Sequence, residues 1–285
     1  MKYLIILALC VFATCKISFQ GAFGKNNVKT SADAIIFNFF VFVFSALMFL
    51  PKVFSCTPVV WVYAGCAAFC TVLYQMFYTK ALATGSLSLT VLIVNFNTVV
   101  CVLVSYFIYN EPISFVRLIG ILLTAICFVV CTRFDDDKTS QKNWLLYTVL
   151  ALLSCTLGTL AQKVFGESPY SSESPAFISC MYVIAALFSV MFYGFLRVVG
   201  DKVTIKISFN MLKLALAVGV SLALYQLVNT YALANIDGTF LFPAYIGGSI
   251  IFSTATGVLI FKDVLTKKQI AGIIIGIVAT VLMNF

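Results

Sequence analysis

The sequence holds no histidine, and only 10% of its 285 residues are charged. Without histidine, neither a Ser-His-Asp nor a Cys-His catalytic pair can be assembled. A soluble domain carries roughly 25% charged residues, because a water-facing surface needs them; the shortage here excludes an ordinary soluble fold. The ten cysteines include no C-x-x-C pair. Most of them lie inside apolar runs, where thiols behave as small hydrophobes. Neither a metal centre nor a cofactor is expected from such a set. No G-x-x-x-x-G-K phosphate loop occurs, so direct use of ATP is not expected either. Acid is scarce as well: there are ten Asp and Glu, and none falls in the middle of an apolar run.

What is present is apolar. Hydrophobic residues make up 62% of the chain, 28 of them Phe, and the mean hydropathy is +1.08. A bilayer core needs about 20 apolar residues per helix. Ten such runs are marked at 2–24, 32–50, 57–82, 86–108, 114–132, 144–165, 175–196, 209–233, 239–260 and 268–284. Pro51, Pro58, Pro112, Pro169 and Pro175 fall between runs or at their margins, whereas Pro243 falls within one. The net charge of +8 comes from basic residues clustered between the runs, the usual flanks of membrane spans. No basic module with aromatic stacking positions appears, so no nucleic-acid partner is expected. The first 20 residues have the look of a signal peptide, but a matching helix opens the second half, so a retained helix is expected.

The two halves are related. Leu73–Thr84 reads LYQMFYTKALAT and Leu224–Asn235 reads LYQLVNTYALAN, with seven of twelve positions identical. Gln75 and Gln226, and Thr79 and Thr230, fall in register. Further on, Tyr109–Ser114 parallels Phe261–Thr266, and Gly120 falls opposite Gly272. The spacing is 151 in the first alignment and 152 in the second, so one inserted residue separates them, and self-similarity at a near-constant spacing marks a repeat. Five helices per half is an odd number, so the second half enters the membrane in the opposite sense. The fold class expected is all-α membrane: ten transmembrane helices as two inverted-topology five-helix repeats, at 1–134 and 143–285, with a polar joint at 135–142. Inverted repeats recur in secondary transporters, with the substrate near the midplane between them.

This arrangement resembles the drug/metabolite transporter superfamily, specifically its EamA-type ten-helix members. The resemblance rests on the Tyr74–Ala83 helix ending and its twin in the second half. It rests also on the acidic corner Asn110-Glu111-Pro112 with its twin Lys262-Asp263, and on the glycine-containing helices that follow. It implies a transporter, not an enzyme, with both termini in the cytoplasm. The charge tally implies the reverse. The face holding the amino terminus carries Lys2, Lys52, Arg117 and Lys163, while thirteen of the eighteen basic residues fall on the other face.

Candidate substrate-binding residues follow from the cost of burying polarity in a bilayer. Lys16 is the one deep charge, with Gln20 one turn away on the same helix face; it is suited to a substrate carboxylate or phosphate. The twin amides Gln75 and Gln226 suit a midplane site, with Tyr78 and Asn229 on the same segments. Asn95 and Asn97 in the fourth run, and Tyr245 beside Pro243 in the ninth, form a third group, since a proline break frees a backbone carbonyl. Tyr74, Tyr225 and Gln162 are further lining candidates. Glu111 and Asp263 read as helix-end caps, and Gly272-x-x-x-Gly276 as a close-packing motif.

The function expected is secondary transport of a small polar metabolite, zwitterionic or anionic, such as an amino acid. Alternating access in the plasma membrane is expected, coupled to a proton or substrate gradient, in a monomer or homodimer. Two alternatives stay open. One is a lipid or prenyl enzyme using Asp135-Asp136-Asp137 to hold magnesium and a diphosphate; the other is an exporter of organic cations or drugs.

Overall fold

The computed structural model describes residues 2–28, 30–53, 57–97, 99–100, 103–104, 114–132, 138–198, 207–235 and 238–282. Among the described residues the chain is all-helical. Its helices are α1 (Lys2–Asn27), α2 (Ser31–Val53), α3 (Pro58–Thr84), α4 (Leu87–Asn95), α5 (Phe115–Thr132), α6 (Lys138–Gly166), α7 (Ser174–Val198), α8 (Phe209–Asn235), α9 (Gly238–Leu259) and α10 (Lys267–Leu282). Six segments, in α1, α2, α3, α6, α7 and α8, are long and apolar enough to cross a membrane, and α5 and α9 contain shorter apolar stretches. Large apolar side chains such as Leu47, Leu122, Leu153, Met191 and Leu216 point outward. In water this exterior would be costly, whereas hydrocarbon accepts it.

Helices of one half lie mainly against helices of the other. The pairings are α1 with α8, α3 with α6, α2 with α7, α4 with α9 and α5 with α10. Exchanging each helix for the one five places away maps this set onto itself. One core fills the space among α2, α3, α7 and α8, from Phe37, Phe42, Ala64, Ala68, Tyr182, Ala185 and Val218. A second core joins α4, α6, α9 and α10 through Leu92, Ile93, Trp144, Ile250 and Ile273. Small residues set the closest crossings: a Cβ on Gly219 would lie 3.0 Å from the Val41 carbonyl, and the Ser45 hydroxyl bonds the Gly219 carbonyl at 3.2 Å.

Several expected boundaries shift. Helix α6 begins at Lys138, inside the segment read as a polar joint, and α1 continues to Asn27. Polar residues end a span by entering water, but they do not end a helix. The fourth run is interrupted. Helix α4 closes at Asn95, where the Phe96 amide bonds Ile93 three residues back, and helical backbone resumes at Asn97. The ninth run was the one expected to break, at Pro243, yet α9 passes through that position. Pro243 is the sixth residue of its helix, so the ring removes only one hydrogen bond near an end whose first four amides have no intrahelical partner anyway. The Gly272–Gly276 motif packs inside the chain. The Cys127 thiol lies 2.9 Å from the Gly272 carbonyl, and a Cβ on Gly276 would meet Leu92 and Cys127. Glu111 and Asp135–Asp137 lie outside the described residues.

Candidate substrate site

The two ends of the bundle differ. At one end Asp263, in the α9–α10 connection, joins the end of α1 to the start of α4. Its Oδ1 accepts from Lys25 at 2.9 Å, and its Oδ2 accepts from the Ser86 hydroxyl at 2.9 Å and from the Ser88 amide and hydroxyl at 3.1 Å each. An anion at a helix amino terminus meets unpaired amides and a favourable dipole. Asp263 does act as a helix-end cap, as its position implies, but the helix it caps is α4 in the first half of the chain rather than the one that follows it. Burial pushes its carboxyl up, but the Ser88 amide, Lys25 and Ser86 outweigh burial and hold it below the usual value. The same end is packed by Phe261 beneath Lys25, by Leu87 against Gly21, and by Trp144, whose indole donates to Thr90 at 2.8 Å.

The opposite end is marked by Thr57, before α3, whose amide and hydroxyl donate to Glu173, ahead of α7. Between the ends lies a cavity of about 410 Å³. Its rim toward the Glu173 end includes Thr159 and Gln162, both exposed on the last turns of α6. Its floor toward the Asp263 end includes buried Tyr78, Val91 and Val94.

The structure brings together eight of the nine predicted residues: Lys16, Gln75, Tyr78, Asn95, Asn97, Gln226, Asn229 and Tyr245 all line this cavity. Each is positioned by a different local cause. Lys16 is inward-facing, its ammonium 5.7 Å from the centre of the Tyr74 ring, a cation–π distance. Asn97 donates to the Cys155 sulfur at 3.2 Å and faces Thr159. The Asn95 amide nitrogen is buried without a partner. Gln226 is hydrogen-bonded to Tyr182, and Tyr225 to Tyr245. Gln20 is the exception. It is fully buried outside the lining, where its amide donates to Gln75 Oε1 at 2.8 Å and to Thr79 at 2.9 Å, and Asn38 joins at Thr79. Gln20 shares a helix face with Lys16, as the spacing dictates, but it braces a lining residue from outside the cavity.

Cys155, Thr159, Tyr182 and Ser249 also line the cavity and were not singled out from sequence. Aromatic, thiol and hydroxyl groups in apolar runs carry no periodic mark that separates lining from packing. Among the described residues the lining holds no Asp or Glu, and Lys16 is its one charged side chain. Among the described residues no cluster of metal-ligating side chains occurs.

Comparison with known proteins bears on the first half of the chain. Residues 2–133 match the EamA-like transporter family. The first half of the chain is thus similar to a membrane transporter family, consistent with the drug/metabolite transporter superfamily, and over that half the resemblance read from the motifs is borne out. A solved crystal structure superposes with a TM-score of 0.62 at 15% identity, over 98% of this chain and 96% of that one. At that identity the likeness is one of fold. No curated protein sequence matches the chain significantly. An EamA-like assignment accords with a chain that is not an enzyme, and the spans make it a membrane protein.

Proposed function

We propose that the chain is a secondary transporter of the plasma membrane that moves a small polar metabolite, zwitterionic or anionic, by alternating access. The observation that carries this reading is the asymmetry of the cavity. Helices α1 and α3 pack together, and Asp263 ties the end of α1 to the start of α4, whereas α6 and α8, five places on from α1 and α3, make no comparable contact among the described residues. The cavity reaches solvent beside the α6 and α8 residues Thr159, Gln162 and Asn229. If 1–134 and 143–285 are inverted five-helix repeats joined at 135–142, exchanging their conformations closes α6 on α8 and parts α1 from α3. The mirrored helix pairing supports that symmetry.

The chemistry of the lining supports the substrate class. Amides and phenols offer hydrogen bonds to hydroxyl, amide or amino-acid groups, and Lys16 offers a charge to a carboxylate. A volume of about 410 Å³ suits a metabolite rather than a polymer. Saturable counterflow of a labelled amino-acid panel in proteoliposomes tests transport, as a monomer or homodimer and with or without a proton gradient. Flux that rises linearly with concentration for every member overturns it.

A further inference from the structure

Lys16 is fifteen positions along the 26 residues of α1. The apolar run ends eight residues on, at 24, about 12 Å away at 1.5 Å per residue, which is farther than a lysine side chain reaches comfortably. Its side chain instead turns inward to the cavity, over Tyr74. A charge in that position normally has a counter-charge. Here none exists among the described residues. Asp263 is held by Lys25 and the start of α4, Glu173 by Thr57, Glu167 by Lys163 and Asp33 by Thr30. All four acids sit at helix ends or in connections. The cavity's own acceptors are neutral amide and hydroxyl oxygens. The Asn95 amide nitrogen, buried and lining the same cavity as Lys16, has a donor with no acceptor. A cation and an unpartnered amide donor thus line a space that, among the described residues, holds no negative group.

We propose that the missing counter-charge is the solute: an anion whose carboxylate or phosphate sits on Lys16 and the Asn95 amide, carried by exchange of one anion for another. This rests on the transport reading above and adds the charge of the substrate and the mode of turnover. The reason for exchange is electrostatic. While the cavity is open to water, Lys16 is solvated. To pass between open states, the carrier closes over it. With an anion aboard, the closed cavity is neutral. Empty, it holds a bare ammonium in a low-dielectric interior, and that step is slowed on the order of 100-fold, the scale set by the insertion cost of a central lysine. The carrier then returns efficiently only when loaded.

The test uses the full chain, purified and reconstituted. The probes are potassium salts of two- to six-carbon monocarboxylates, sugar monophosphates and inorganic phosphate, with primary amines of matching size as the opposite set. Thermal stabilisation by one or more anions and by none of the amines is expected; stabilisation by amines alone, or by nothing in the anion set, overturns the anion seat. With the binding anion loaded inside vesicles and the membrane potential clamped, efflux is expected to rise on the order of 100-fold when the same anion is added outside. Equal efflux with and without external anion overturns exchange. An anion that stabilises the protein but never crosses overturns the transport reading and leaves the seat standing. Lys16→Gln is expected to weaken anion binding at least about tenfold, to abolish the external-anion effect, and to raise the melting temperature of the empty protein, because a lone buried charge has gone. Lys16→Arg is expected to keep both binding and exchange. Unchanged affinity in Lys16→Gln overturns the role of Lys16.

Discussion

Replacing Asp263 by Asn removes one negative charge from the tied end and leaves the shape of the side chain almost unchanged. In the native protein Oδ1 accepts from Lys25, and Oδ2 takes three donors from Ser86 and Ser88. The carboxylate is 3% exposed and Lys25 is 28% exposed, so the acid loses more than the base when the pair parts. In the variant the carbonyl can still accept from the Ser88 amide. Its amide nitrogen then faces Lys25, donor against donor. Hydrogen bonds to a charged group contribute about 1.5–3 kcal/mol. One retained neutral bond and the solvent access of Lys25 bring the net loss to about 2 kcal/mol. At 1.4 kcal/mol per tenfold, that loosens the tied end about 30-fold. Hydrogen exchange read by mass spectrometry on peptides spanning 86–90 measures it directly, since the Ser88 amide is bonded to Asp263 and the Leu89 amide to Ser86. Protection is expected to fall about 30-fold there and to stay unchanged in α7. Unaltered protection at 86–90 would refute the view that Asp263 holds this end shut.

Gly257→Ala is expected to loosen the same end from the other side: its new methyl would overlap the Ser88 hydroxyl and approach the Asp263 carboxylate at 2.7 Å, and the exchange pattern should match that of Asp263→Asn. Gln20→Ala removes two buried hydrogen bonds and strips Gln75 Oε1 of its donor, at a cost of about 2–4 kcal/mol, seen as a lower melting temperature in detergent. Acid should act on the tied end late. Asp263 titrates below its ordinary value of 3.8 in the folded chain, so the unfolded chain takes the proton first. The stabilisation is whole above about pH 3.8 and drains away as pH falls further, and a stability–pH curve of Asp263→Asn should lack that acid limb. Glu173, also held below its ordinary 4.5 by the Thr57 hydroxyl and amide, should protect the Thr57 amide until the pH falls below that value.

Much of this site was legible because polarity is rare in the chain. In a sequence that is 62% hydrophobic, a lysine, a glutamine or an asparagine inside a span stands out against its cost. The repeat then paired Gln75 with Gln226 before any contact was known. Position on a helix face was less informative: Lys16 and Gln20 share one face, yet one enters the cavity and the other reaches across to Gln75. Which neighbour lies within reach is a tertiary fact. The same holds for Asp263, whose partner in α4 is 175 residues away at Ser88. Tyr182 and Cys155 escaped notice for the opposite reason, since each is an ordinary residue of a hydrophobic helix until the bundle encloses it. The helix break fell at Asn95–Phe96 rather than at Pro243, because a proline near a helix start disturbs little.

Trp144 carries a further consequence. Its indole is 6% exposed, donates to Thr90 and packs over Gly85 at the tied end. The only other tryptophan, Trp61, lies on the outer surface of α3. A Trp61→Phe protein therefore contains a single tryptophan, which can be excited selectively over the tyrosines and is seated in the dry seam that must part if the far side is ever to open. Its emission colour would follow the wetting of that seam in real time, with no label attached.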